Sequence, residues 1–162
     1  MALIGQLNKL GKAVNEKYPN VNYGGCCVYA ALVAEALLLH NVNVRGIVAS
    51  RDAWEFNRYN SIDDIRPYIR YHTIDRWQDN GVDFSHIGLE FEVNGKLRHY
   101  DSNGVKRAAR HFDNMPVYKG RLQVYELVKL ASRAQGWNSY FNRRHIPKIR
   151  ALVQEYLATD KV

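Results

Sequence analysis

Three residue types stand in an order that thiol chemistry uses: Cys26, then His86, then Asp101. A cysteine attacks as its thiolate, and a thiolate forms most readily at a helix N-terminus beside a histidine. Cys26 follows Gly24-Gly25 and opens an Ala- and Leu-rich run from Cys26 to about His40, so it stands where a helix should begin. The N–H groups of that first turn have no partner within the helix and can stabilise a thiolate or a developing oxyanion. Taken alone, Cys26 and its neighbour Cys27 read more readily as small thiols packed in a core helix.

The pairing of the other two residues changes that balance. His86 to Val93 alternates, with Ile87, Leu89, Phe91 and Val93 on one face. Asn94-Gly95 follows, a strong two-residue hairpin signal, and Lys96 to Asp101 returns as the partner strand. A two-residue loop pairs Val93 with Lys96, which places Asp101 opposite Gly88 and one diagonal step from His86 on the same face. Backbones in that relationship are roughly 7–8 Å apart, a gap that two side chains can close to a hydrogen bond. Gly88 leaves no side chain to intervene, and a slip of one residue would separate the pair.

These blocks resemble the transglutaminase-like core. Gly24-Gly-Cys26-Cys-Val-Tyr-Ala30, running on to Asn43-Val-Arg45, is similar to its Gly-x-Cys-x-x-x-Ala helix and following strand. Ser85-His86-Ile-Gly-Leu-Glu90 through Tyr100-Asp101 is similar to its His and Asp strands. The resemblance covers residues 24–49 and 85–104. It implies Cys26 as nucleophile, His86 as base and Asp101 as the residue that orients the histidine. Two features depart from the pattern: Gly88 stands where the family often has an aromatic residue, and a second cysteine, Cys27, also follows the glycines. The related arylamine N-acetyltransferases carry Gly-Gly-x-Cys, which would make Cys27 the nucleophile; the shortness of this chain favours Cys26. Asn22 and Tyr23 are the upstream candidates for an oxyanion donor.

Other polar residues have plainer readings. Glu90, Glu92 and His99 share the His86 face and could meet a substrate cation, though a solvated strand face explains them as well. His40 reads as a helix C-cap. His72, His111 and His145 lack metal-ligand spacing, and two adjacent cysteines suit neither a zinc site nor an unstrained disulfide. No metal and no cofactor is expected.

The elements that must position these residues come from periodicity. Leu3, Leu7, Leu10 and Val14 predict a helix from Leu3 to Lys17. The Cys26 helix is apolar nearly all round and should be buried. Val42 to Ala49 and Gly120 to Val124 read as strands, and Glu126–Gln135 and Ile146–Thr159 as helices. Residues 51–83 hold Trp54, Phe56, Tyr59, Tyr68, Tyr71 and Trp77 without a clean period and read as an aromatic-rich insertion. The expected fold is a single α+β domain over residues 1–162, with a papain/transglutaminase-like core. In it a buried helix bearing Cys26 packs on an antiparallel sheet bearing His86 and Asp101.

Composition is ordinary for a globular chain of 162 residues, with 46% hydrophobic and 24% charged residues, and excludes a disordered or collagen-like one. The apolar run from Cys26 to Leu39 is too short to span a bilayer. The N-terminal stretch lacks signal-peptide character and the thiols are free, so a cytoplasmic protein without membrane attachment is expected. Charge is uneven: residues 96–150 carry 13 Lys and Arg against 3 Asp and Glu, in a chain of net charge +7.

The favoured activity is cysteine-dependent hydrolysis of an amide in a peptide or protein, by a peptidase or deamidase working through a thioester. Transglutaminase or acyltransferase chemistry is the close alternative. Arg98, Lys106, Arg107 and Arg110 flank Asp101, so an acidic substrate is expected at the cleft. The rival is an inactive papain-like module whose basic 96–150 segment binds nucleic acid or an acidic protein.

Overall fold

Residues 3–22, 24–51, 86–134 and 141–158 are described in a computed structural model. Leu3–Lys17 forms α1 and Cys26–Leu39 forms α2. Val44–Ala49, His86–Val93, Lys96–Asp101 and Gly104–Arg107 form β1 to β4, an antiparallel sheet in the order β1-β2-β3-β4. His111–Phe112 and Met115–Pro116 pair as a small hairpin, β5–β6. Val124–Ala134 is α3, and a 3₁₀ turn at Arg143–His145 leads into α4, Ile146–Leu157. The fold is α+β. Among the described residues, no helix is long and apolar enough to cross a membrane.

The sheet register follows from its turns. Asn94 (φ 52°) and Gly95 (φ 69°) both occupy the left-handed region that a two-residue hairpin loop requires. Val93 then faces Lys96 and Leu89 faces Tyr100, the register expected from the sequence. Ile87, Leu89, Phe91 and Tyr100 point to the helical side, where α2 packs with residues of α1, α3 and α4 around one core. Leu7, Leu10, Val33, Leu37 and Leu127 are fully buried there. The other face of the sheet is covered by β5–β6, whose Phe112 packs on Ile47 and Ala49.

Several boundaries differ from the sequence expectation. The strand expected at Gly120–Val124 does not form. Residues 116–122 instead run along the free edge of β1 as an irregular segment, with Gly46 and Leu122 exchanging backbone hydrogen bonds of 2.8 and 2.9 Å. Gly46 permits this approach, since a Cβ there would lie 3.1 Å from Cβ of Leu122. β1 starts at Val44 rather than Val42, and α3 starts at Val124. Strands β4 to β6 are too short to announce themselves by alternation. The aromatic-rich segment at 51–83 lies outside the described residues except for Arg51. Its two flanks are nonetheless fixed, because Ala49 pairs directly with His86.

Candidate active site

α2 begins at Cys26 for steric reasons. Gly24 has φ 101°, a conformation that L side chains avoid. A Cβ on Gly25 would lie 2.5 Å from the Phe141 ring and 2.7 Å from the Val21 carbonyl oxygen. No side chain caps the helix at Gly25. The first-turn N–H groups are therefore free of a competing cap, and the Cys26 sulfur accepts from the N–H of Cys27 and of Ile87 on β2.

His86 opens β2 and Asp101 closes β3, and the hairpin brings them together as the register predicts. His86 Nε2 donates to Asp101 Oδ2 over 3.0 Å, with both side chains almost fully buried. A carboxylate only accepts, so Nε2 carries a proton and the imidazole's hydrogen bond with Cys26 falls to Nδ1. Asp101 Oδ1 accepts from the N–H of Asn103 at 2.8 Å, which orients the carboxylate from its other side. α1 holds that turn in place: Asn15 donates to the Ser102 carbonyl at 2.8 Å, and Asn8 accepts from the Val105 N–H at 2.8 Å. Gly11 makes the close approach possible, since a Cβ there would come within 2.6 Å of the Ser102 oxygen.

The electrostatics separate the two cysteines. Burial pushes the Cys26 thiol up, but the hydrogen bond and positive charge of His86, with the two backbone N–H groups, hold it below the ordinary thiol value. For Cys27, burial and the charge of Cys26 both push the pKa well up. Cys27 turns toward α3, with its sulfur 4.0 Å from the Leu127 carbonyl oxygen, and it packs as a core residue. Burial lowers His86, yet hydrogen bonds to Asp101 and Cys26 and the charges of both outweigh it and lift the imidazole to about 10. Asp101 lies below its usual range: burial opposes ionisation, and His86 and then Lys106 overcome it.

Phe112 is the part of this arrangement that sequence reasoning missed. Its ring stacks on the His86 imidazole, with centroids 5.3 Å apart and planes at 16°. Gly88 makes room for it, because a Cβ at Gly88 would lie 2.9 Å from Phe112 Cε1. A ring from β5 thus occupies the space that Gly88 leaves open on β2. Asp113 and Asn114 both have positive φ (50° and 65°), the signature of a tight two-residue hairpin, and Asp-Asn was the signal that could have disclosed it.

No protein-family model matches the chain, and no curated protein or solved structure matches it either.

His99 and Glu90 form a second buried cluster on the same sheet face. His99 Nε2 donates to Glu90 Oε2 at 3.0 Å, and Arg121 grips both Glu90 oxygens at 2.9 and 3.0 Å. Hydrogen bonding from His99 first, then Arg121, pulls the Glu90 carboxyl down to about 2 against the opposing effect of burial. Glu90 is therefore neither solvated nor open to a substrate cation; its cation is Arg121. The cluster staples residues 118–121 onto β2, since Arg121 also donates to the carbonyls of Tyr118, Lys119 and Gly120. His40 is the C-cap of α2, as expected. His145 packs against Tyr18, with ring centroids 4.9 Å apart. The oxyanion candidates divide: Asn22 Oδ1 is buried without a hydrogen-bond partner, and Tyr23 lies outside the described residues.

His86, Asp101 and Asp113 each offer a donor atom within 4.8 Å of the other two. These atoms are already engaged with one another and with the Lys106 ammonium, which pairs with Asp113.

Proposed function

We propose that the protein is a cysteine-dependent hydrolase acting on an amide, with Cys26 as nucleophile, His86 as general acid and base, and Asp101 as the orienting carboxylate. The observation that carries this reading is the buried 3.0 Å His86–Asp101 hydrogen bond aimed at a thiol on an uncapped helix N-terminus. Such a constellation, on a helix packed against an antiparallel sheet, supports a papain/transglutaminase-like core.

The chemistry follows from the protonation states. The lowered thiol and the raised imidazole favour transfer of the Cys26 proton to His86, which gives the attacking thiolate and an imidazolium. The thiolate attacks the amide carbonyl carbon, and the carbonyl oxygen becomes an oxyanion within reach of the α2 first-turn N–H groups. The C–N bond then breaks, His86 gives its proton to the departing nitrogen, and a thioester to Cys26 remains. Water, deprotonated by His86, attacks the thioester, releases the acid and returns the thiol. An amine in place of water would give transamidation at the same residues.

The rival binding-module reading draws on the basic segment, and several of its cations are already engaged within the fold. Lys106 pairs with Asp113, Arg121 with Glu90, and Arg150 with Glu35 at 3.6 Å.

The test is the pH dependence of iodoacetamide alkylation, mapped by mass spectrometry. Cys26 should react well below the pH at which a free thiol reacts, and Cys27 should stay unmodified in the folded protein. His86→Ala should move Cys26 back toward ordinary thiol behaviour, and Asp101→Ala should do so less completely. An adduct on Cys27 alone, or a profile indifferent to His86→Ala, would overturn the assignment.

A further inference from the structure

Beyond Asp101 the site continues. Lys106 on β4 forms an ion pair with Asp113 of the β5–β6 turn, and its ammonium stands 5.1 Å from the Phe112 ring centroid. Asp113 also reaches back: a carboxylate oxygen of Asp113, one of Asp101 and a ring nitrogen of His86 all lie within 4.8 Å of one another. Two carboxylates that close repel when both are ionised, and one would tend to hold a proton unless a cation compensates. Lys106 is that cation. It is about one-third exposed, as is Asp113, whereas Asp101 is buried. The ion pair therefore sits as a plug between the buried hydrogen bond and solvent.

We infer that Lys106 is a positioning residue for the Cys26–His86–Asp101 chemistry: it keeps Asp101 ionised beside a second carboxylate, that of Asp113. The inference rests on the reading of Cys26 as a nucleophile. Lys106 does not touch the reacting sulfur; it acts through Asp101. Among the described residues, the other titratable groups around Asp101 come from three elements. β2 contributes His86, α2 contributes Cys26 and the Tyr29 phenol, and β3 itself contributes the Tyr100 phenol. Farther along the same face, the His99–Glu90–Arg121 cluster is internally paired. Lys106 is the cation that offsets Asp113.

This arrangement has a signature that a merely structural ion pair lacks, because the two substitutions act with opposite sign. Lys106→Met removes the compensating cation from both carboxylates, and with it part of the support that Asp101 gives the His86 imidazolium. The acid limb of the Cys26 alkylation profile should then move up by about one pH unit, a typical effect of losing an opposite charge at this range. Asp113→Asn removes the second negative charge, while the amide still donates to the Asp101 carboxylate that Asp113 hydrogen-bonds, so the limb should move down, by about half a unit. Lys106→Arg keeps the charge and should restore the wild-type limb.

The profiles are read by mass-mapped carboxymethylation of Cys26 across pH, beside a thermal unfolding curve for each variant. Opposite shifts with rescue by arginine support the inference. A wild-type Cys26 that titrates like a free thiol would remove both this inference and the proposed function. A depressed wild-type thiol with Lys106→Met and Asp113→Asn unmoved, or shifted in the same direction, would overturn the positioning role alone. If Lys106→Met does not fold, Asp113→Asn decides, and no downward shift counts against the inference.

Discussion

The Tyr29 hydroxyl lies 2.5 Å from the Tyr100 hydroxyl in the buried core, joining α2 three residues after Cys26 to β3 one residue before Asp101. Tyr100 donates onward to the Leu7 carbonyl at 3.0 Å, so Tyr29 donates to Tyr100 and α1 is drawn into the same chain. Burial pushes both phenols above their ordinary pKa, which keeps them protonated as donors. This link fixes the spacing between the helix that carries the thiol and the strand that carries the carboxylate.

Tyr100→Phe should be more costly than Tyr29→Phe. The first leaves the buried Tyr29 hydroxyl without its acceptor and removes the bond to the Leu7 carbonyl, a loss of about 2–3 kcal/mol; the second removes one bond and should cost about 1 kcal/mol. Urea unfolding of both variants measures the difference. Equal costs would mean that the Leu7 bond contributes nothing.

Gly88→Ala tests the Phe112 stack. The new Cβ would meet Phe112 Cε1 and the Tyr100 carbonyl oxygen, each at 2.9 Å, and the second is backbone that cannot swing aside. The ring should be displaced from His86 and stability should fall by about 1–3 kcal/mol. A crystal structure of the variant, with its melting curve, checks both. An undisturbed ring at unchanged stability would remove the explanation offered for glycine at this position.

Glu90→Gln should destabilise the fold in a pH-dependent way. The folded carboxyl titrates near 2 against an ordinary value of 4.5, so its contribution is complete above about pH 5 and is lost as pH falls toward 2. The stability gap between wild type and variant should therefore be widest at neutral pH and close in acid. Denaturant titrations at pH 3 and pH 7 suffice, and a gap that widened in acid would reverse the sign of the argument.

Steering of an acidic substrate must be tested away from Lys106, whose charge is bound to Asp113. Arg107 and Arg110 are exposed and close in sequence to the Asp101 turn. Arg107→Glu with Arg110→Glu should lower kcat/KM for an acidic peptide several-fold while leaving kcat nearly unchanged, and added salt should shrink the difference. Acidic and neutral peptides turned over in an unaltered ratio would show that the basic half does not face the cleft.

Local rules made much of this protein readable before any coordinates. Asn94-Gly95 dictates a two-residue turn, the turn dictates the register, and the register puts His86 and Asp101 on one face a diagonal apart. The apolar run after Gly24-Gly25 likewise dictates a buried helix starting at Cys26. Contacts between residues distant in sequence leave no such periodic trace. That Phe112 fills the space at Gly88, that Asp113 and Lys106 back Asp101, and that Glu90 is spent on Arg121 and His99 depend on how residues 104–122 fold back over the sheet. Those strands are two to four residues long, too short for alternation to mark them. The choice between Cys26 and Cys27 was also tertiary. Both stand on the same helical turn, and only the approach of β2 places the imidazole against one sulfur while the core closes over the other.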